Sequence, residues 1–329
     1  MASLLGLPMK ALEEEPTLSA WEVLRRQRNN HIRHVSTYFD LSTGNVDFQN
    51  FERKFTLFTW NSGIVMKNIV RVLVVFSLLI LGAFSNLGTR AYSVRKIIID
   101  AGHGGYDSGA LGKFSKEKDL VLQIALELGE LIKQHIKDVQ VIYTRKTDAF
   151  VTLHDRAKIA NRNNVDVFIS IHCNATPKGN TASYGTETYT MGLHTSRRNL
   201  EVAKRENAVI LMENDYQKNY QGFDPKLPES HILFSLYQNA HNDNSLKLAR
   251  NIQHQFERRV GRKNRGVKQA GLLVLWKTTA PSVLVEVGFI THPQEEKYLN
   301  SKAGQSYIAS GIFRALRDYK NELEANNYN

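Results

Sequence analysis

Ile97-Ile98-Ile99-Asp100-Ala101-Gly102-His103-Gly104-Gly105 is an apolar run that ends in Asp, Gly and His, the pattern of a buried strand that delivers an imidazole to its tip. The glycines by themselves signal no more than a tight turn, because glycine reaches backbone angles that other residues avoid. From Val94 onward, short apolar runs alternate with longer amphipathic ones. That alternation predicts an α/β fold: a single domain with a mostly parallel twisted sheet of about six strands flanked by helices. The expected strands are Lys96 to Asp100, Val139 to Thr144, Val165 to His172, Gly185 to Met191, Gly271 to Trp276 and Ser282 to Val287. Helical spacing marks the residues after Glu117, where Leu120, Ile124, Leu128 and Leu131 or Ile132 recur, and likewise Leu153 to Asn163, Ser245 to Arg259 and Ser301 to Glu322.

In such a sheet the carboxyl ends of the strands form the usual crevice, and three further segments can reach it beside His103. They are Lys116-Glu117-Lys118-Asp119, Ser170-Ile171-His172-Cys173-Asn174 and Val283-Leu284-Val285-Glu286-Val287-Gly288-Phe289. Zinc catalysis needs about three protein ligands and one open position, with neutral imidazoles and carboxylates as suitable donors. His103, Glu117 and His172 supply that set. Glu117 at a helix start also gains from the positive end of the helix dipole. Glu286 lies in an otherwise apolar strand, where a carboxylate is costly unless paired or bound. It is either the partner of a nearby Arg or Lys, or a general base that takes a proton from zinc-activated water and passes it to a leaving nitrogen. Cys173 follows His172 in a strand, so it points to the opposite, packed face.

The chain has 329 residues, 42% of them hydrophobic, which is ample for a buried core. With Cys173 as the single cysteine, no intrachain disulfide is possible. The net charge of +11 is unevenly placed: residues 1 to 65 carry seven Lys or Arg against seven Asp or Glu, so the excess falls beyond them. A basic balance favours an acidic partner such as nucleic acid, anionic lipid or an anionic wall polymer. Neither finger spacing, an aromatic ribonucleoprotein pattern nor a phosphate-cradling loop occurs in the sequence, so nucleic acid is not an expected partner.

Met66-Lys67-Asn68-Ile69-Val70-Arg71 precedes the apolar run Val72 to Phe84, and the chain turns small and polar from Ser85 to Ala91. This is the layout of a secretory signal peptide, with exits at Thr89-Arg90-Ala91 or Ala83-Phe84-Ser85; the other readings are an uncleaved anchor or a buried helix. A run of about 13 apolar residues is short for a ~30 Å bilayer. The expected organisation is therefore 1–65 as an unstructured or non-native upstream extension, 66–91 as signal peptide or anchor, and 94–325 as the folded domain. Membrane contact is expected only through the signal segment.

Residues 192–230 are too long for an ordinary connection, and such segments are usually functional or mobile. Arg197 to Tyr216 has helical composition, and a tyrosine-rich stretch, Tyr216 to Pro228, follows; together they suggest an added helix and flap over the cleft. Glu201, Glu206 and Glu213 are carboxylates within reach of a metal from such a flap. His154, His194, His231, His241, His254 and His292 read as exposed or capping groups. Arg156 and Asn161 read as organisers of a helix beneath the site, and Lys263, Arg265 and Lys268 as solvent-facing or glycan-contacting charges.

Seven strings in order carry a family resemblance: Ile99-Asp100-Ala101-Gly102-His103-Gly104-Gly105, Glu117-Lys118-Asp119-Leu120, Tyr143-Thr144-Arg145, Leu153-His154-Asp155-Arg156-Ala157 with Ala160-Asn161, Ser170-Ile171-His172-Cys173-Asn174-Ala175, Gly185-Thr186-Glu187-Thr188-Tyr189, and Val285-Glu286-Val287-Gly288-Phe289-Ile290. Over about Lys96 to Tyr319 the chain resembles the zinc-dependent N-acetylmuramoyl-L-alanine amidases of the Amidase_3 family, which include the cell-division amidases. The resemblance implies that His103, Glu117 and His172 bind Zn2+ and that Glu286 is catalytic. It further implies that the substrate is peptidoglycan, cut between N-acetylmuramic acid and L-alanine. That places the enzyme in the periplasm or at the cell wall, in accord with the signal. Insertion 192–230 resembles the blocking helix of the regulated subgroup, which an activator protein displaces. Two other readings compete: a zinc endopeptidase that cuts within stem peptides, and a non-catalytic wall-binding protein with this fold. Met66 as the true start makes residues 1–65 untranslated, so mass spectrometry of the native protein should find no peptide from Trp21 to Arg53. Their detection would establish a genuine N-terminal segment.

Overall fold

The computed structural model describes residues 93–325 except 178–180, 194–195, 215 and 237–240, together with Lys67, Asn68, Leu73 and Phe76. The extension 1–65 and nearly all of the 66–91 leader, as well as His194, lie outside the described residues. Residues Thr89–Asn329 form one compact unit. Among the described residues no helix is long and apolar enough to cross a membrane.

Six strands make one sheet: β1 (Lys96–Ala101), β2 (Gln140–Tyr143), β3 (Val167–Asn174), β4 (Thr186–Met191), β5 (Asn264–Ala270) and β6 (Ser282–Phe289), in the spatial order β2-β1-β3-β6-β4-β5. The first four in that order run parallel; β4 pairs antiparallel with β6 and parallel with β5. Helices α1 (Glu117–His135), α2 (Leu153–Arg162), α3 (Arg197–Asn207), α4 (Tyr216–Asn219), α5 (Pro228–Ser235), α6 (Asn242–Gln255), α7 (Leu273–Trp276), α8 (Pro293–Asn300) and α9 (Lys302–Ala325) complete the unit.

Strand alternation divides the interior into two cores. Ile97, Ile99, Ile169, Ile171, Val283 and Val285 face one side, where α1, α6 and α9 cover them with Ile124, Leu128, Ile252, Ile312 and Leu316. Cys173 belongs to this core, as its place next to His172 predicts. Ile98, Phe168, Leu284 and Tyr189 face the other side, covered by α2, α7 and the insertion through Val202, Ala203, Ile210, Tyr220, Phe223 and Phe234. The insertion is therefore part of a core as well as a flap. His231, expected to be exposed or capping, is instead fully buried there, with Nε2 2.9 Å from the Pro225 carbonyl. His292 does cap α8, accepting from the Glu295 amide.

One expected strand is a helix. Gly271 to Trp276 contains the buried turn α7, and the sixth strand is the polar segment just before it, β5. A short apolar run cannot by periodicity be told from a buried helical turn, and an edge strand needs little apolar content. The side chain of Asn207 in α3 closes the turn between them, donating to Gly271 O at 2.8 Å and accepting from the Leu273 amide at 2.9 Å.

Asp100 anchors the strand ends. It is fully buried and accepts from Arg156 Nη1, Thr144 Oγ1 and Ser170 Oγ, each at 2.6 Å. Burial alone would raise its carboxyl, but Arg156, Ser170 and Thr144 reverse this and hold it below its usual range. The stabilisation is complete above the unfolded carboxyl's pKa of ~3.9 and is lost as pH falls through the lower folded value. Asp100→Ala leaves the buried Arg156 guanidinium without its carboxylate, which should cost about 3–5 kcal/mol in urea unfolding at neutral pH.

Candidate metal centre

The centre lies where β1 and β3 end. After Ala101 the chain enters the left-handed region at His103 (φ 58°), Gly104 (φ 124°) and Gly105 (φ 60°). Such a conformation is uncommon for a side-chain-bearing residue and needs support from its surroundings. Two buried arginines supply it. Arg145 donates to the carbonyls of Ala101 and Gly102, and Arg156 to those of Ala101 and His103, at 2.7–2.9 Å.

Four side chains converge there: His103, Glu117, His172 and Glu206, each buried, with one ligand atom from each within 4.8 Å of all the others. Glu117 Oε1 stands 3.2 Å from both His103 Nε2 and His172 Nδ1. Glu206 Oε2 stands 3.4 and 2.9 Å from the same nitrogens. Tetrahedral donors bound to zinc at ~2.0–2.1 Å would be separated by about 3.3 Å, so these spacings suit a metal. His103 Nε2, His172 Nδ1 and Glu206 Oε2 are buried without a hydrogen-bond partner, although buried polar groups are normally paired. The donor set therefore fits a metal ion.

The surroundings aim these donors. Asp107 Oδ2 lies 2.7 Å from His103 Nδ1, which fixes the proton there and turns Nε2 inward. Glu117 is fully buried; its Oε2 accepts from the Ala110 amide and its Oε1 from the Cys173 amide, both at 2.7 Å. Gly102 lets the His172 ring lie flat on the backbone: a Cβ there would be 2.5 Å from the ring. Burial opposes charge on both imidazoles, yet the facing carboxylates prevail, with His103 raised by Glu117 and Asp107 and His172 raised to about 9 by Glu206 and Glu117. Glu117 itself is lowered to about 2, because His103 and His172 outweigh its burial.

Glu286 and His172 are paired across β6 and β3, and Glu286 and Glu187 across β6 and β4. Glu286 is fully buried, and burial, aided by Glu206, pushes its pKa up to about 8 against the pull of Arg205. Arg205 Nη2 bonds Glu286 Oε1 at 3.0 Å while its Nε holds Glu206 Oε1 at 2.8 Å. Adjacent residues of α3 thus occupy the donor cluster and the neighbouring carboxylate. The ion-pair reading of Glu286 is realised, and its partner comes from the insertion.

Of the three insertion carboxylates, Glu206 alone reaches the donors. Glu213 accepts from the Leu153 amide at 2.8 Å and from Tyr220, and Glu201 is exposed beside Lys204. Asp107, Arg205 and Glu187 went unassigned in the sequence, although Asp107 stands only four residues from His103. Arg265 and Lys268 do not simply face solvent: both bond the buried Glu187 at 2.7 Å, with Tyr189 and Asn174 donating to its other oxygen. Asn161 ties α2 to the segment after α7 through Lys277 O and the Thr279 amide.

The fold and the cluster of His and Glu donors define an α/β protein with a candidate metal centre at the ends of its strands. The family model described as N-acetylmuramoyl-L-alanine amidase, Amidase_3, matches residues 97–318, and the chain belongs to that family. It is an amide hydrolase. It is 32% identical over 226 residues to N-acetylmuramoyl-L-alanine amidase AmiA of Escherichia coli, which spans 68% of this chain and 76% of that one. The crystal structure of an N-acetylmuramoyl-L-alanine amidase from Clostridium difficile covers 70% of this chain and 98% of its own, at 29% identity and a TM-score of 0.53. The CwlD amidase of Clostridioides difficile, solved in complex with the GerS lipoprotein, covers 69% and 99% at 27% identity and a TM-score of 0.51.

Gly109 (φ 63°) offers a test of the packing: an added Cβ would stand 2.6 Å from His103 and 2.7 Å from Glu117. Gly109→Ala should lower bound metal, read by elemental analysis, and cost about 1–3 kcal/mol of stability.

Proposed function

We propose that the chain hydrolyses the amide between N-acetylmuramic acid and the L-alanine of the peptidoglycan stem peptide, using His103, Glu117 and His172 as zinc ligands and Glu286 as general base and acid. The observation that carries this reading is the set of unpartnered donor atoms, His103 Nε2 and His172 Nδ1, facing Glu117 beside the buried Glu286. Two imidazoles and a carboxylate are a donor set suited to catalytic zinc. A zinc ion held there supplies Lewis acidity, which acidifies water and polarises the scissile carbonyl.

Glu286 handles the proton. It is the carboxylate placed to take a proton from water and return it to the departing L-alanine nitrogen once Arg205 is drawn away. Asp107 keeps His103 in the ligating tautomer, and the clamps from Arg145 and Arg156 hold the loop that carries it.

Helix α3 holds the enzyme off in this reading. With a metal held by His103, Glu117 and His172, Glu206 would fill the position needed by water, and Arg205 occupies a carboxylate oxygen of Glu286. An activator protein that draws α3 away frees both at once. Export through the leader beginning at Met66 brings the folded unit 94–325 to its substrate in the periplasm or at the cell wall.

Muropeptide mass analysis of purified sacculi treated with the Arg205→Ala, Glu206→Ala protein tests the chemistry. Intact stem peptides with a free L-alanine amino group are expected, whereas shortened stems would identify an endopeptidase. Glu286→Gln should retain zinc and lose about 10²–10⁴ in kcat. Glu206→Ala and Arg205→Ala, which leave the insertion's core residues in place, should raise activity in the absence of any partner. Unchanged activity in both would remove the block.

A further inference from the structure

The loop that presents His103 also presents an aromatic surface. Gly104 and Asp107 exchange backbone hydrogen bonds at 2.9 and 3.2 Å, so Gly105 and Tyr106 form the tip of a tight turn. Gly105 is fixed on both sides: its amide donates to Asp148 Oδ1 at 2.7 Å, and its carbonyl accepts from Lys118 Nζ at 2.7 Å. Phe150 packs so closely that a Cβ on Gly105 would lie 2.8 Å from its amide. On that support the Tyr106 ring stacks against Phe150, centroids 4.2 Å apart and planes 25° apart, while Tyr106 remains 65% exposed. Its hydroxyl donates to the Met212 carbonyl at 3.4 Å, and its ring is covered on one face by Phe150 and otherwise largely open.

We propose that the Tyr106–Phe150 stack is the platform on which the glycan strand of the substrate rests, a sugar ring lying on the open face of Tyr106. The proposal rests on the amidase reading above and assigns it a glycan subsite. Two observations select a carbohydrate. First, an open ring offers a flat apolar surface of the kind that the C–H face of a pyranose covers. Second, Phe150 and Val151 begin a groove of about 370 Å³ that continues past Thr152, Asp155, Lys158 and Arg162 along α2, side chains able to meet sugar hydroxyl groups from both donor and acceptor sides. Val151 also lines the small cavity bordered by His103, His172 and Glu206, so the groove and that cavity share a wall residue.

Because Tyr106 is open even with α3 in place, the platform can be tested without turnover. Saturation-transfer NMR with the N-acetylglucosamine tetramer, a peptide-free sugar, should show binding to the full-length protein. Binding should be lost in Tyr106→Ala and retained in Tyr106→Trp, with zinc content and melting temperature unchanged. On sacculi, Tyr106→Ala should raise KM about tenfold while kcat holds, in line with the energy of one aromatic contact. No binding by the wild type, or equal binding by Tyr106→Ala, would overturn the platform. These turnover measurements use the Arg205→Ala, Glu206→Ala protein, in which the proposed block by α3 is absent, and release of stem peptides by it is scored separately. Release without Tyr106-dependent binding keeps the amidase and removes the platform; binding without release keeps the platform and removes the amidase.

Discussion

The carboxylate of Glu117 is wholly enclosed by protein, and an ionised group so placed is tolerated only if it is surrounded by compensating partners. It has amides on one side, from Ala110 and Cys173, and two imidazoles on the other. These partners come from the loop after β1, the end of β3 and the approach to α1, so the demand of one buried charge ties together three elements distant in sequence. The same demand explains the geometry of the loop. His103 can meet Glu117 only from a left-handed backbone, and the buried guanidinium groups of Arg145 and Arg156 hold that conformation by taking its carbonyls.

The insertion meets this centre with opposite charges on consecutive residues. Glu206 faces the imidazoles and Arg205 faces Glu286, so α3 complements the charge of the donors and of the neighbouring carboxylate together. A carboxylate arriving alone would face Glu117 and Glu286 as like charges; Arg205 offsets that repulsion. The helix is also held by packing, since Val202 and Ala203 enter the core on the face of the sheet that α2 and α7 cover. Glu213 adds a further attachment by capping the start of α2. Its hold is thus the sum of polar contacts at the cleft and apolar burial behind them, which makes the segment both a lid and part of the wall.

Much of this arrangement was legible from local pattern. The runs at Ile97, Val167 and Ser282 read as buried strands because they are apolar throughout, and His103, His172 and Glu286 were conspicuous as polar residues at or near their ends. Cys173 was assigned to the far face by alternation alone. Pattern failed where burial was decided by neighbours. Gly271 to Trp276 looks like a strand but contains a helical turn whose start Asn207 bonds, while Asn264–Ala270 has the composition of a loop and pairs as a strand with β4. His231, polar in an unremarkable segment, is buried because the insertion folds into a core.

The sequence by itself determined the α/β class and marked His103, Glu117, His172 and Glu286 as polar residues of the strand ends and, for Glu117, of a helix start, because each reading depends on a residue type set against a local hydrophobic period. Only the tertiary structure decided which insertion carboxylate meets the donors, what pairs with Glu286, how Asp107 orients His103, and where Tyr106 meets Phe150. Those contacts join residues from separate elements, and their existence depends on distances of 3–4 Å that no periodicity along the chain encodes.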